Sequence, residues 1–224
     1  IIIISILAAI AVPAVMRAVA TANNARIKTE IDMLHMAIMQ YKNEYGSFPA
    51  CIDPQGAAGN AAQSTVNKHL RRIFPRILDG NLPDKTQSPN PSSAIFGWLS
   101  GYSDDPQNPL AAYPPGTPES QKILKRKKLF DFDSSRISNA MFTPPGKPNS
   151  PYIYIDSANY DLITNAGGFA ALGNNYLPFK VGTTYSNPDS FQILCAGRDE
   201  KFGNDDDMSN FWPGTRKDYL DNLK

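Results

Sequence analysis

The first twenty residues, IIIISILAAIAVPAVMRAVA, are almost entirely apolar and lead without a break into an amphipathic helical pattern. Ser5 is the only polar side chain before Arg17, which carries the first charge. Burying one aliphatic side chain is worth about 1.5–3 kcal/mol, so leaving the whole segment in water would be very costly. We therefore expect the segment to lie in a bilayer or to pack among copies of itself.

The uncharged part of this segment is slightly short for a bilayer span. A spanning helix needs about 20 apolar residues, whereas the run here ends at Met16. The segment also lacks the basic leader and small-residue cleavage site of a secretory signal. We expect a few more apolar residues upstream to complete a span, and we expect the segment to be retained as structure.

The next part of the chain carries a one-sided helical stripe. Its apolar residues are spaced alternately by four and three positions: Ile27, Ile31, Leu34, Ile38, Tyr41 and Tyr45. Charged residues such as Glu30 lie off the stripe and are assigned to a solvated face. Gly46 predicts the helix end and Pro49 forbids continuation, while Pro13 predicts a kink or local melting. The pattern predicts one helix from Ile1 to Tyr45.

The rest of the chain, which holds most of the 19 prolines and 15 glycines, predicts one loop-rich domain. A second helix is predicted over Thr65–Leu78, capped by Ser64 and kinked at Pro75. Residues 79–121 contain many prolines and are interpreted as a surface insertion. Within them only Ala94–Leu99 is apolar enough to pack, as a short helix or turn.

Strand signals appear late in the sequence. Residues 152–155 and 191–195 are β-branched and aromatic runs bounded by turn formers, and residues 177–181 form a weaker third run. An antiparallel sheet of these strands would cover the helical stripe. We therefore predict an α+β protein in which residues 1–24 form the hydrophobic N-terminal helix. Residues 25–224 would form a globular head that includes the C-terminal half of the long helix.

Composition and motifs exclude several classes of function. The 22 basic and 21 acidic residues give a net charge of +1, so no electrostatic case for nucleic-acid binding arises. The two histidines, His35 and His69, have no recognisable nucleophile beside them in the sequence. No nucleophile elbow, phosphate loop or histidine metal pair occurs in the chain. We assign no active site and predict that the protein is not an enzyme.

Three stretches carry a resemblance to a known family: the apolar start with Pro13, residues 20–26 (ATANNAR) and residues 41–49 (YKNEYGSFP). Together they resemble type IV pilins, and most nearly the major pseudopilin of type II secretion. In that family the helix lies in the inner membrane before assembly and then forms the core of a helical filament. The family's acidic residue near the mature N-terminus has no counterpart here, since it would lie upstream of Ile1.

The resemblance implies a type IV pilin-like fold and a structural subunit that forms a homopolymer outside the cytoplasm, in the periplasm or at the cell surface. Its partners would be other copies of the chain, the inner membrane before assembly, and the pilus or secretion machinery. The assembly helix would use six residues: Ile1, Ile4, Leu7, Ile10, Pro13 and Met16. The alternative is a membrane-anchored ligand-binding or hydrolytic domain in which the helix is only a tether.

One stretch, residues 197–207 (GRDEKFGNDDD), is dense in charged side chains, most of them acidic. Such acidic loops attract hard cations, and Ca²⁺ takes six to eight oxygen ligands. The stretch also looks like the calcium loop of major pseudopilins, although Glu200 stands where that family usually has glycine. The resemblance implies three side-chain calcium ligands: Asp199, Asp205 and Asp207. The alternative is a solvated acidic loop balanced by Arg198 and Lys201.

Cys51 and Cys195 are the only cysteines in the chain. An exported head would permit a disulfide between them. In the chain-entropy model, closing a loop of more than about a hundred residues would add about 4–5 kcal/mol of stability. The alternative is two separate buried thiols that behave as small hydrophobic groups. We predict the disulfide.

Overall fold

The computed structural model describes the backbone of residues 2–51, 59–83, 89–103, 105–110 and 126–223. Side chains are described for residues 11–51, 65–83, 89–103, 105–110 and 127–223. Of the predicted features, parts of the proline-rich insertion (84–88, 104 and 111–121) and the side chains at the start of the chain lie outside these ranges.

The long helix α1 runs from Ile2 to Tyr45. It passes through Pro13 without interruption, so the local melting predicted there is not found. Gly46 ends the helix with a φ of +78°, a backbone conformation that glycine adopts without strain. The Gly46 N–H donates to the Lys42 carbonyl at 2.8 Å and closes the last turn. The predicted helix end is therefore confirmed.

The predicted stripe on α1 forms the centre of the head's core. Its first five residues are each 2% exposed or less: Ile27, Ile31, Leu34, Ile38 and Tyr41. Tyr45, the sixth, is partly buried and packs against the same cluster. Glu30 does not belong to a solvated face, as the sequence suggested, because it is only 7% exposed.

Helix α2 spans Gly59–Ile73, so the bounds predicted for it were wrong. The helix begins before Ser64, which lies inside it and does not act as its cap. Its last hydrogen bond is donated by Phe74 N–H to the Leu70 carbonyl at 2.7 Å. Pro75 has no N–H and its ring clashes with the preceding turn, so it ends the helix where we expected a kink.

Helix α3 spans Ala94–Leu99 and confirms the short element predicted there. It does not lie on the surface, because Trp98 and Leu99 are buried in the same core as α1. The Trp98 indole N–H donates to the Ala50 carbonyl at 2.7 Å. This part of the proline-rich region therefore helps to build the core.

The described strands are short and pair in antiparallel fashion. In chain order they are β1 (Tyr102–Ser103), β2 (Arg126–Lys127), β3 (Ile137–Ser138), β4 (Met141–Phe142), β5 (Ile153–Asp156), β6 (Phe169–Ala171), β7 (Asn174–Tyr176), β8 (Lys180–Val181), β9 (Thr184–Tyr185), β10 (Phe191–Cys195) and β11 (Met208–Ser209). The main sheet has three strands in the order β11-β10-β5. The third predicted run, residues 177–181, is a strand only at its end, where β8 pairs with β9 in a separate hairpin. Its predicted place in the main sheet is wrong, because β11 occupies that place.

The main sheet separates two clusters of buried side chains. Alternate residues of a strand point to opposite faces, so Tyr154 and Ile193 pack with the α1 stripe. Ile155 and Leu194 pack on the other side with helix α4 (Tyr160–Asn165) and the β6–β7 hairpin. A last helix, α5 (Arg216–Asp221), follows the sheet. The described residues thus confirm an α+β head built on the second half of a long helix.

Candidate assembly surface and acidic loop

The first half of α1 projects apolar side chains that no other described residue covers between positions 11 and 19. Every side chain from residue 11 to residue 19 is exposed. Four large apolar residues are between 54% and 68% exposed: Val12, Val15, Met16 and Val19. Of the six predicted assembly residues, Pro13 and Met16 are exposed. The side chains of the other four (Ile1, Ile4, Leu7 and Ile10) lie outside the described residues.

The exposed apolar face does not stop where the head begins. Helical spacing continues it along the side of α1 opposite the stripe, through Ala22 and Thr29 to Met33 and Met36. Met33 is 47% exposed and Met36 is 70% exposed. We call this line of residues, from Val15 to Met36, the outer face. It borders an open groove of about 550 Å³ whose far wall includes Leu129 and Phe130.

A buried ion pair joins α1 to the head. Both terminal nitrogens of Arg136 donate to the Glu30 carboxylate, with Nη1 2.9 Å from Oε2. The Tyr152 hydroxyl donates to the same Oε2 at 2.5 Å, and Arg136 Nη1 also donates to the Thr143 carbonyl at 3.1 Å. The hydrogen bonds to Glu30 raise the pKa of Arg136 above its ordinary value. This junction fixes the helix on the head, and no motif or spacing in the sequence indicated it.

The acidic loop after β10 is held by its own backbone. Asp206 Oδ2 accepts from the N–H groups of Arg198 at 2.7 Å and Asp199 at 3.1 Å. Asp199 in turn accepts from Lys201 N–H at 2.8 Å. Gly197 has a φ of +61°, and a Cβ there would overlap the Asp206 carbonyl, so only glycine fits. The central acceptor is therefore Asp206, which was not among the predicted ligands.

Asp207 differs from the other aspartates of the loop because it is only 1% exposed. Its Oδ2 accepts from Gly203 N–H at 2.8 Å, and its buried Oδ1 has no hydrogen-bond partner. Burial raises the pKa of Asp207 to about 7, since the charged form loses its hydration. The Nη1 of Arg216 is 4.0 Å from Asp207 Oδ2.

The three predicted calcium ligands do not converge. Asp199 and Asp205 are exposed, whereas Asp207 points into the protein. Among the described residues, no group of three or more His, Cys, Asp or Glu side chains is placed to hold a metal ion. The arrangement of these carboxylates does not fit one shared ion, and calcium binding stays a prediction.

The predicted disulfide is not formed, and both cysteines are buried thiols. The Cys51 N–H donates to Asp156 at 3.0 Å, and Asp156 pairs with Phe191 at the start of β10. Cys195 lies at the opposite end of β10, which is about 13 Å of strand away. No bond joins the two sulfur atoms, so the alternative of two separate buried thiols describes this structure.

His69 of α2 is buried against α1 and has a polar environment that the sequence did not reveal. Its Nε2 is 2.8 Å from the Tyr41 hydroxyl, and its Nδ1 is 3.3 Å from Ser47 Oγ. Burial, helped by the positive charge of Arg72, lowers the pKa of His69 to about 4. A general base works best when its pKa is near the working pH. The Ser47–His69 pair is therefore better suited to packing than to catalysis.

Comparison with known proteins adds no relative. No family model, curated protein or solved structure matches this chain. Within the described residues, none of the helices has the length and apolar character needed to cross a bilayer.

Proposed function

We propose that this protein is a structural subunit of a type IV pilus-like filament and that its fold is pilin-like. The observation that carries the proposal is the first half of α1, where the apolar side chains of residues 11–19 are exposed and have no cover among the described residues. In this proposal the helices of many copies bundle in the filament core, and the heads form its outer wall. The filament lies in the periplasm or outside the cell. Its subunits reside in the inner membrane before the assembly machinery adds them to the filament.

The energetics of burial support a polymer of like helices. Four residues (Val12, Val15, Met16 and Val19) are each more than half exposed, and burying such side chains fully gains about 1.5–3 kcal/mol apiece. Between residues 11 and 25 the only charged side chain is Arg17. Neighbouring helices can therefore replace acyl chains around this segment with little charge to bury.

Rigidity between helix and head also supports assembly over simple tethering. A helical polymer needs every head at a fixed angle to its stalk, whereas a tether works equally well with a flexible linker. Here α1 continues unbroken into the core, and the Glu30–Arg136 pair locks it to the head. The outer face then offers a second apolar contact area beside the head, ending at Met36.

A charge placed within the exposed segment tests the proposal. The full chain is purified in detergent, the detergent is removed, and the product is imaged to measure mass per length. We expect wild type to form fibres and Val15→Asp to form none, because a carboxylate in the bundle would lose its hydration. The matched control is Leu172→Asp, which adds the same charge at a head residue that is 46% exposed. Normal fibres from Val15→Asp, or a dispersed wild-type monomer, would contradict the proposal.

A second candidate is a membrane-anchored ligand-binding or hydrolytic domain. It is favoured by a cavity of about 320 Å³ on the head, lined in part by Leu70, Leu82, Pro89 and Trp98. An apolar wall with a few amide groups is typical of small-molecule sites. Shearing of cells distinguishes the candidates, because an anchored domain releases no fibres.

A further inference from the structure

The acidic loop contains one carboxylate, that of Asp207, that is shielded from water. The side chain of Asp207 is 2% exposed, and its Oδ1 has no hydrogen-bond partner. Two other N–H groups of the loop, those of Arg198 and Asp199, donate to Asp206 and not to Asp207. A buried carboxylate is strongly destabilising unless a cation or a set of hydrogen bonds compensates it. A cation beside Asp207 would therefore stabilise its charged form.

Helix α5 brings a cation to that position. Its first residue is Arg216, whose Nη1 is 4.0 Å from Asp207 Oδ2. The Arg216 N–H donates to the Asp207 carbonyl at 2.7 Å, and the Lys217 N–H donates to the Asp205 carbonyl at 2.9 Å. The start of α5 is thus bonded to the acidic loop at two backbone points, independently of any side chain.

The unpartnered atoms on the two side chains are complementary. Asp207 has a buried acceptor, Oδ1, without a partner, and Arg216 has a buried donor, Nε, without a partner. A guanidinium presents Nε and a terminal nitrogen as a fork that matches the two oxygens of a carboxylate. A small rotation of the Arg216 side chain would satisfy both atoms in one bidentate pair.

We propose that Arg216 is the resident counter-ion of Asp207, so that α5 closes the acidic loop without a divalent cation. A calcium ion would need six to eight oxygens around it, whereas Asp199 and Asp205 are exposed and do not converge on Asp207. The guanidinium needs only the one carboxylate. This role is independent of filament assembly and concerns how the C-terminal part of the head is held together.

Thermal unfolding of the wild-type chain in detergent separates arginine from calcium as the counter-ion. We expect the same melting temperature in millimolar calcium and in EDTA. A ligand at one hundred times its dissociation constant stabilises by an amount that would raise the melting temperature by about 5–10 °C. A rise of that size with calcium would overturn the proposal, and this measurement needs no variant to fold.

A double-mutant cycle then tests the pair itself. Arg216→Met leaves a buried charge without compensation and should lower the melting temperature by about 5–10 °C. Asp207→Asn should change it far less in the Arg216→Met background than in wild type. The control is Lys217→Met, which removes an exposed neighbouring charge, keeps its backbone hydrogen bond and should leave the melting temperature nearly unchanged. Additive effects of the two changes in the cycle would overturn the proposal.

Discussion

The two halves of α1 are alike in the type of side chain they carry and opposite in how far those side chains are buried. Both carry large aliphatic side chains, but Val12 and Val15 are more than half exposed while Leu34 and Ile38 are 1% exposed or less. The second half is covered by the sheet and by α2 and α3 of the same chain. The first half has no such cover in the described residues.

This difference shows that the two halves of α1 are suited to burial in different surroundings. In the second half the stripe occupies one side only, because a head can cover a helix from one side. In the first half apolar residues occupy all sides, which suits a helix surrounded by others or by lipid. The boundary falls near Ile27, which is the first almost fully buried residue in the part of the helix whose side chains are described.

Breaking the junction between the halves should have the largest effect on stability. Arg136→Met leaves Glu30 buried with only the Tyr152 hydroxyl as a partner, and losing one member of a buried pair costs about 3–5 kcal/mol. Urea unfolding of the full chain in detergent measures this loss. Arg26→Met serves as control, since Arg26 is exposed on the same helix. Equal stabilities of the two variants would show that the junction does not hold the head.

Truncating one side chain in each half tests the comparison directly. Leu34→Ala removes a fully buried group and should lower the free energy of unfolding by about 3 kcal/mol. Val15→Ala should change it by less than about 0.5 kcal/mol, yet it should weaken filament assembly because Val15 would be buried only between copies. Chemical denaturation and a sedimentation assay of fibres measure the two effects. The comparison fails if Val15→Ala destabilises the head as much as Leu34→Ala does.

How far the sequence predicted the fold depends on whether a signal was local. The α1 stripe and its end at Gly46 were predicted correctly, because periodicity and a helix stop are written in neighbouring residues. Strand β11 was missed, because Met208–Ser209 is a strand of two residues directly after three aspartates. The run at 177–181 looked more like a strand, but its residues pair only in a separate hairpin.

The site was less predictable than the fold because its contacts join distant parts of the chain. Glu30 looked like one of several surface charges, and only its partner Arg136 explains its burial. In the acidic loop, the number of aspartates indicated a strongly charged segment, but the sequence did not indicate the role of each aspartate. Which one is buried depends on α5 and Arg216, and no local spacing indicates that.

The smallest expected difference between the two halves of α1 lies in how they respond to acidic pH. The second half contacts His69, whose pKa burial lowers to about 4 in the folded state, against about 6.5 in an unfolded chain. The unfolded state therefore binds a proton first, so this histidine should cost about 2 kcal/mol of stability as the pH falls from 6.5 to 4. His69→Gln removes the effect and cancels contributions from other groups when the two unfolding profiles are subtracted. The first half carries only Arg17 and Arg26 as charged groups and contains no histidine or carboxylate. Fibres assembled through it should keep their mass per length over the same pH interval, and parallel unfolding profiles of wild type and His69→Gln would refute the assignment.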